Sequence, residues 1–425
     1  MKNKYAYLGI GFFILFFILI FNFNQIRSFS KSFLSHQVKI YIKEIFFGKE
    51  YIREVNFYRQ LGYNQFNLPN SQFDNLILEK FKLKNIDNTS THYKTLMEKK
   101  SSVKRFFIED LGNSILIASA SGKFQFSENY DLNLFNNLET NLEKFNIKEI
   151  IDIQKINNDI FISYTFKKSL EDNCSYIGIA NSEINFKLLN FNSFYIDKEC
   201  TTATNVLGGR IYPYKHNDTL GFLITTGAAD KEKNLAQVNK SFFGKIWFFS
   251  LDKNNKILFS KGHRNPQGLI AFDKHVISTE HGPYGGDEIN YIKFKSNYGF
   301  PISSYGEPYS FKKQKNTRKD YIYKKKHSEL GFEEPIFSFV PSIGISEIEK
   351  IPNSFSKYWQ DNFLVTSLNG RKIYRIMFDD TFNKIIYMEP MFLGERIRDI
   401  KYVKKKKFII LALEETGSIA ILRTK

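Results

Sequence analysis

Hydrophobic and polar positions divide the chain into three textures. The first is an apolar run from Ala6 to Phe21, set within a charge-free stretch from Tyr5 to Ile26 and preceded by Lys2 and Lys4. The charge-free stretch is long enough to cross the hydrocarbon of a membrane as a helix. A removable signal peptide would end in a small-residue cleavage site; the sequence instead continues NFNQIRSFSKS. Residues 1–24 are therefore expected to form a retained transmembrane signal anchor. Arg27, Lys31 and Lys39 balance Lys2 and Lys4, so the positive-inside rule says little about orientation.

In the second texture, residues 25–60, charged and apolar positions mix at a spacing near 3.6, which predicts a helix. A stalk is the plainest use for it; a coiled segment or a membrane-surface helix are the alternatives. Residues 61–100 are polar and Asn-rich, and predict a linker with some strand. Residues 25–102 are thus read together as stalk and linker.

The third texture begins near Val103. Short β-rich runs alternate with Asn, Asp and Gly turns, as in EIIDIQKINNDIFISYTF, SYIGIANSEINFKLLNF and LGFLITTGAAD. Such strands of four to eight residues predict an all-β domain over residues 103–425. GKIWFFSLDKNNKILFS reads as a plain hairpin. So many hairpins exceed a simple sandwich and suit a propeller of four-stranded blades around a central channel.

Composition narrows the class. Hydrophobic residues are 42% of the chain and aromatics 16%, ample for a large core and incompatible with general disorder. The net charge of +17 comes from 61 basic and 44 acidic residues. Charge of that sign attracts nucleic acid or anionic membranes. Here most lysines are scattered and no nucleic-acid-binding signature occurs, which favours a basic compositional bias over a nucleic-acid partner. The runs Lys312–Lys326 and Lys401–Lys407 read as solvated loops or strand edges. Cys174 and Cys200 form no CxxC pair, which argues against zinc and thioredoxin chemistry. They lie at the ends of two successive strand-like runs, where an antiparallel pairing would permit a disulfide; two separate free thiols are the alternative.

The chemistry concentrates in GHRNPQGLIAFDKHVISTEHGPYGGDEINYIKFKSNYGFPISSYG, residues 262–306. GHRNPQG, EHGPYGGDE and NYGFP, in that order and spacing, closely resemble the signature of the glucose/sorbosone dehydrogenase family, whose members use pyrroloquinoline quinone (PQQ). VPSIGISE, WQDNFLVTSLNG and GERIRDI resemble that family's last two blades. The resemblance is strong from residue 205 onward and weak before it. It implies a six-bladed β-propeller, at about 45 to 55 residues per blade.

A tricarboxylated quinone is planar and anionic, and arginine offers it a forked set of donors. The resemblance assigns cofactor contacts to Arg264, Asn265, Arg396 and Arg398, with Tyr309 a weaker candidate. The i, i+2 spacing of Arg396 and Arg398 places both guanidiniums on one face of a strand. Structural ion pairs at blade ends are the alternative role for these arginines. Asp287 and Glu288 follow a Gly-Gly turn, and calcium takes oxygen ligands on such loops. The resemblance matches Glu288 and Tyr298 to a structural calcium. It matches the carbonyls of Gly282 and Pro283 to a second calcium beside the quinone. A hydrogen-bonded acidic turn is the plainer reading.

The chain also departs from the family. The family's base histidine precedes a G-G-R sequence and takes the substrate's hydroxyl proton as hydride leaves. Here TNVLGGR keeps Gly208, Gly209 and Arg210 but has Val206 at the histidine position, and Asn205 is no base at neutral pH. A family lysine becomes Asn369, and TTGD becomes TTGAAD. The family's first-blade glutamine has no evident counterpart. His263 and His281 lie within the signature; His281 reads as a site-wall residue, with substitute base as a secondary idea. His216 reads as part of a solvated turn. No HExxH, P-loop or GxSxG occurs. Two classes of function follow. One is a membrane-anchored quinoprotein, periplasmic or extracellular, oxidising a sugar or other alcohol with altered proton transfer. The other is a lapsed propeller that binds a ligand or protein.

Overall fold

The computed structural model describes residues 66–67, 76–84, 86–87, 92–94, 100–169, 174–202, 207–228, 233–283, 285–307 and 323–424. The predicted anchor and helical stalk, Val206 and Tyr309 lie outside the described residues.

The alternating runs form six antiparallel blades around an axis. Blade one is built from Phe106–Asp110, Ser114–Ser119, Phe124–Glu128 and Asn136–Thr140, with Leu188–Leu189 added at its outer edge. Blade two comprises Ile147–Ile156, Asp159–Phe166, Ser175–Glu183 and Asn192–Thr201. Blade three runs through Gly208–His216, Thr219–Thr226, Lys245–Ser250 and Lys256–Lys261. Blades four and five start at Pro266–Phe272 and Ile345–Ile351. Blade six begins with Ile397–Val403. The first strand of each blade lines the channel, and each neighbours the first strands of the blades on either side.

The ring closes by a strand that the sequence pattern assigned to the linker. Leu76–Lys82 pairs with Ser418–Thr424, Leu78 opposite Leu422, and so forms the outer strand of blade six. The propeller therefore takes in residues well before Val103. The join is a ladder with its apolar positions Leu76 and Leu78 fully buried. It also contains an ion pair of 2.6 Å between Lys80 and Glu395, both nearly inaccessible to solvent. Leu76–Lys82 reads LILEKFK, a period-two pattern short enough to pass for linker texture.

Core side chains pack between blades. Phe161, Phe222 and Phe249 meet between blades two and three, with Phe222 and Phe249 stacked at 5.7 Å. Cys174 and Cys200 are joined in a disulfide, Cα atoms 5.7 Å apart, beside the strand pairing that places Cys200 opposite Tyr176. His216 is not simply a solvated turn residue: its ring packs on Phe294 at 4.8 Å and Phe248 at 5.3 Å.

Candidate functional site

The first strands carry alternating side chains into the channel, and the polar ones gather into two tiers. In the first tier, Arg210 of blade three reaches across the axis. Its Nη1 donates to Asp152 of blade two at 2.8 Å and to Asp399 of blade six at 3.3 Å. Its Nε meets Glu347 of blade five at 2.8 Å and the Gln267 carbonyl of blade four at 2.6 Å. Asp399 also accepts from the Ile108 amide of blade one at 2.8 Å. One buried guanidinium thus ties together all six blades. Arg210 can reach because Gly209 precedes it at φ +100°, and a Cβ there would lie 2.4 Å from Ile151. One positive charge faces three carboxylates. Burial, opposed by Arg210 but reinforced by Asp399 and Asp152, pushes the Glu347 carboxyl up to about 8.

The second tier is a rim of arginines around a cavity of about 170 Å³. Arg396 and Arg398 place their Nε atoms on the two oxygens of Glu414, at 2.7 and 2.9 Å. Both guanidiniums meet on Glu414, although Arg396 precedes the strand Ile397–Val403 and the ladder slips at Arg398. Burial alone would raise the Glu414 carboxyl; Arg398, Arg396 and Arg105 overcome it and hold it near 2. Arg398 Nη1 donates to Gln267 at 3.0 Å, and Gln267 donates to Asn265 at 3.0 Å. Arg105 pairs with Glu149 on the same wall. Arg105, Arg396 and Arg398 thus gather on one wall with the carboxylates Glu149 and Glu414.

His281 lines this cavity and also a more open one of about 850 Å³. The Asn265 amide donates towards its Nδ1 at 3.5 Å, which leaves Nε2 carrying the hydrogen, and Nε2 is buried without a partner. Desolvation, with Arg398 and Arg264 adding to it against Asp287, lowers His281 to about 4. It is a neutral donor rather than a base. The larger cavity also takes in Gly282, Pro283, Asp287 and Asn369.

The remaining predicted residues sit behind these walls. Arg264 is buried and donates to the carbonyls of His281 at 3.1 Å and Gly282 at 2.8 Å. Asp287 accepts from the amides of Gly282, Ile343 and Ile345 and from the Ser342 hydroxyl, a brace that fixes two loops. Gly282 has no room for a side chain, since a Cβ would lie 2.1 Å from the Gly286 carbonyl. His263 is held between Ser260 at 2.8 Å and Glu280 at 3.0 Å, its ring on Tyr298 at 4.7 Å.

Glu288 stands apart. It is buried, faces Glu280 across the ladder, and has Asn290 Nδ2 at 3.3 Å. Desolvation, then Glu280, push its carboxyl well above the ordinary value. Nearby, Asn290 Oδ1 and the hydroxyl of Ser338, which pairs with Glu288 in register, are buried without partners. These oxygens suit a hard cation. Tyr298 is differently engaged. Its hydroxyl donates to Tyr291 O at 2.6 Å, and its carbonyl accepts from His327 Nδ1 at 3.0 Å. His327 Nε2 in turn lies 3.6 Å from Glu288. Among the described residues no cluster of three or more His, Cys, Asp or Glu side chains gathers as a metal site.

Sequence reasoning missed Gln267, Glu414, Glu149 and Arg105. Gln267 stands inside the GHRNPQG motif and was there to be read. The others are ordinary charged residues in strand-like runs, and only the closed ring brings them to one wall.

Comparison with known proteins identifies the family and the fold. The model of the family described as Glucose / Sorbosone dehydrogenase matches residues 151–423. Aldose sugar dehydrogenase YliI of Escherichia coli is 26% identical over 166 residues, covering 38% of this chain and 42% of that protein. The curated relatives it matches are each covered over about two-fifths of their length. The apo structure of the soluble aldose sugar dehydrogenase from Escherichia coli superposes with a TM-score of 0.64 at 16% identity, over 82% of this chain and 100% of that one. The PQQ-bound aldose sugar dehydrogenase from Streptomyces coelicolor gives 0.55 at 16% identity, over 82% and 98%. At these identities the superpositions speak for the fold.

Proposed function

The chain belongs to the glucose/sorbosone dehydrogenase family, and from that premise we propose that it is a quinoprotein that oxidises an aldose or another alcohol. The observation that carries the proposal is the rim: Arg105, Arg396 and Arg398 gathered around a cavity whose wall holds a buried nitrogen without a partner, His281 Nε2. That chemistry fits an anionic, planar, oxygen-rich group. PQQ would be held by Arg396, Arg398 and Asn265, with Arg264 fixing the loop of Gly282 from behind. When bound, it supplies a two-electron hydride acceptor. The chain's own part is to orient the quinone, to offer hydrogen bonds through Gln267 and His281, and to keep the arginines in place through Glu414.

Calcium belongs to the same proposal at Glu288, with Asn290 and Ser338 as the further oxygens; the engagement of Tyr298 by His327 speaks against Tyr298 as a ligand. The apolar N-terminal run supports a retained anchor. The disulfide supports an oxidising compartment, periplasmic or extracellular.

A second reading is a propeller that binds ligand without turnover, favoured by Val206 and by Asn369 where the family has lysine. Dye-linked oxidation of a panel of aldoses by the full chain, with PQQ and calcium supplied, separates the two. Sugar-dependent dye reduction that requires PQQ supports the oxidoreductase. Quinone binding without turnover supports the second reading.

A further inference from the structure

The family's proton acceptor is replaced by Val206, yet oxidation of an alcohol cannot proceed without an acceptor for its hydroxyl proton. The cavity wall restricts the alternatives. Arginines cannot serve, since they stay protonated. His281 cannot serve while Asn265 occupies Nδ1 and Nε2 carries the hydrogen. Asp152, Glu347 and Asp399 are turned to Arg210, and Glu414 is spanned by Arg396 and Arg398. One carboxylate among the described residues lines the cavity itself, Glu149.

Its placement is built into blade two. The ladder between Ile147–Ile156 and Asp159–Phe166 slips twice, between Ser163 and Tyr164 and again between Thr165 and Phe166, so that Glu149 pairs with Thr165 between two bulges. Bulges re-aim side chains and are frequent beside active sites. Here they let Glu149 and Ile151 face the cavity while Asp152 turns to the hub. Leu207 and Gly208, which directly follow position 206, line the same small cavity. Glu149 therefore shares the cavity with Leu207 and with Gly208 of the G-G-R motif. Its side chain is 19% exposed, and Arg105 Nη1 pairs with its Oε1.

We propose that Glu149 is the proton acceptor of this chain, replacing the family's histidine from a different blade. This rests on the quinoprotein reading above. The hydroxyl proton goes to a Glu149 carboxylate oxygen. The hydrogen on the adjacent carbon leaves with its electron pair as hydride, and the carbon–oxygen single bond becomes a carbonyl. The oxidant is the bound quinone, which takes up the two electrons. Arg105 keeps the carboxylate oriented between turnovers.

The test is single-turnover reduction of PQQ by an aldose that the wild-type chain oxidises, read by absorbance, together with PQQ binding by titration. Glu149→Gln is expected to bind PQQ within about threefold of wild type and to reduce it about 10²- to 10⁴-fold more slowly, the usual worth of a general base. Glu149→Ala is expected to regain rate when formate is added, a response that a merely structural residue would not give. Should Glu149→Gln fold less well, formate rescue of Glu149→Ala and the activity of Glu149→Asp decide the matter. Reduction by Glu149→Gln within about threefold of wild type, or no formate response, overturns the assignment and leaves the quinoprotein reading intact. A wild-type chain that binds no PQQ overturns both.

Discussion

The hub around Arg210 and the rim around Arg398 are made from the same strands, one or two residues apart, and they are built to opposite ends. Asp399 faces the hub while Arg398 faces the rim; Arg210 joins the two, bound to the hub carboxylates and lining the rim cavity beside Gly208. At the hub the charges answer one another across the blades, and the three carboxylates all reach a single guanidinium. At the rim, arginines gather around a cavity and His281 Nε2 lacks a partner. Buried polar groups are nearly always satisfied, so where a fold leaves one open beside a cavity, ligand binding is the natural use. The hub holds the ring together; the rim is where the proposed ligand would be bound.

The sharpest way to break this contrast is to remove the hub's cation. Arg210→Met leaves Asp152, Glu347 and Asp399 buried and mutually repelling. Breaking a buried pair from one side costs about 3–5 kcal/mol, so urea unfolding should show a loss of that size or failure to fold. A loss below about 1 kcal/mol would mean the hub does not hold the blades. The paired change Cys174→Ser with Cys200→Ser should cost about 2–4 kcal/mol in the same assay.

Calcium removal probes the other proposed site. If an ion binds Glu288 in the native state alone, its saturation at about 100-fold over Kd adds about 2.7 kcal/mol. Chelation should therefore lower the melting temperature, and Glu288→Gln should abolish the difference. Equal melting with chelator and with excess calcium would remove calcium from the account.

A smaller effect comes from pH. Glu347 is raised from 4.5 to about 8 in the folded chain, so between those values the native state holds a proton that the unfolded chain releases. The unfolded state then binds fewer protons, and stability falls as pH rises across that window. The melting temperature should decline from pH 5 to pH 8, and decline less in Glu347→Gln. An identical slope in both proteins would show that Glu347 ionises normally.

Much of this fold was legible in the sequence, because period-two runs and Asn/Asp/Gly turns report hairpins directly. The hairpin from Lys245 to Lys261 appears as read. The closing strand Leu76–Lys82 was not legible, since its partner lies at the other end of the chain. The site was half legible. Arg264, Asn265, Arg396 and Arg398 were marked by motif, and the paired arginines meet on Glu414. Which charges neutralise them depends on residues such as Glu414 and Glu149, which carry no local signal and meet the motif through ring closure alone.

The central claim is that the rim is a quinone site, and absorbance titration of the full chain with PQQ, in the presence of calcium, tests it most directly. Wild type should bind saturably with one equivalent, and Arg398→Ala should weaken binding about 10- to 100-fold, the worth of a charged hydrogen bond of about 1.5–3 kcal/mol. Absence of saturable binding, or binding untouched by Arg398→Ala, would contradict it.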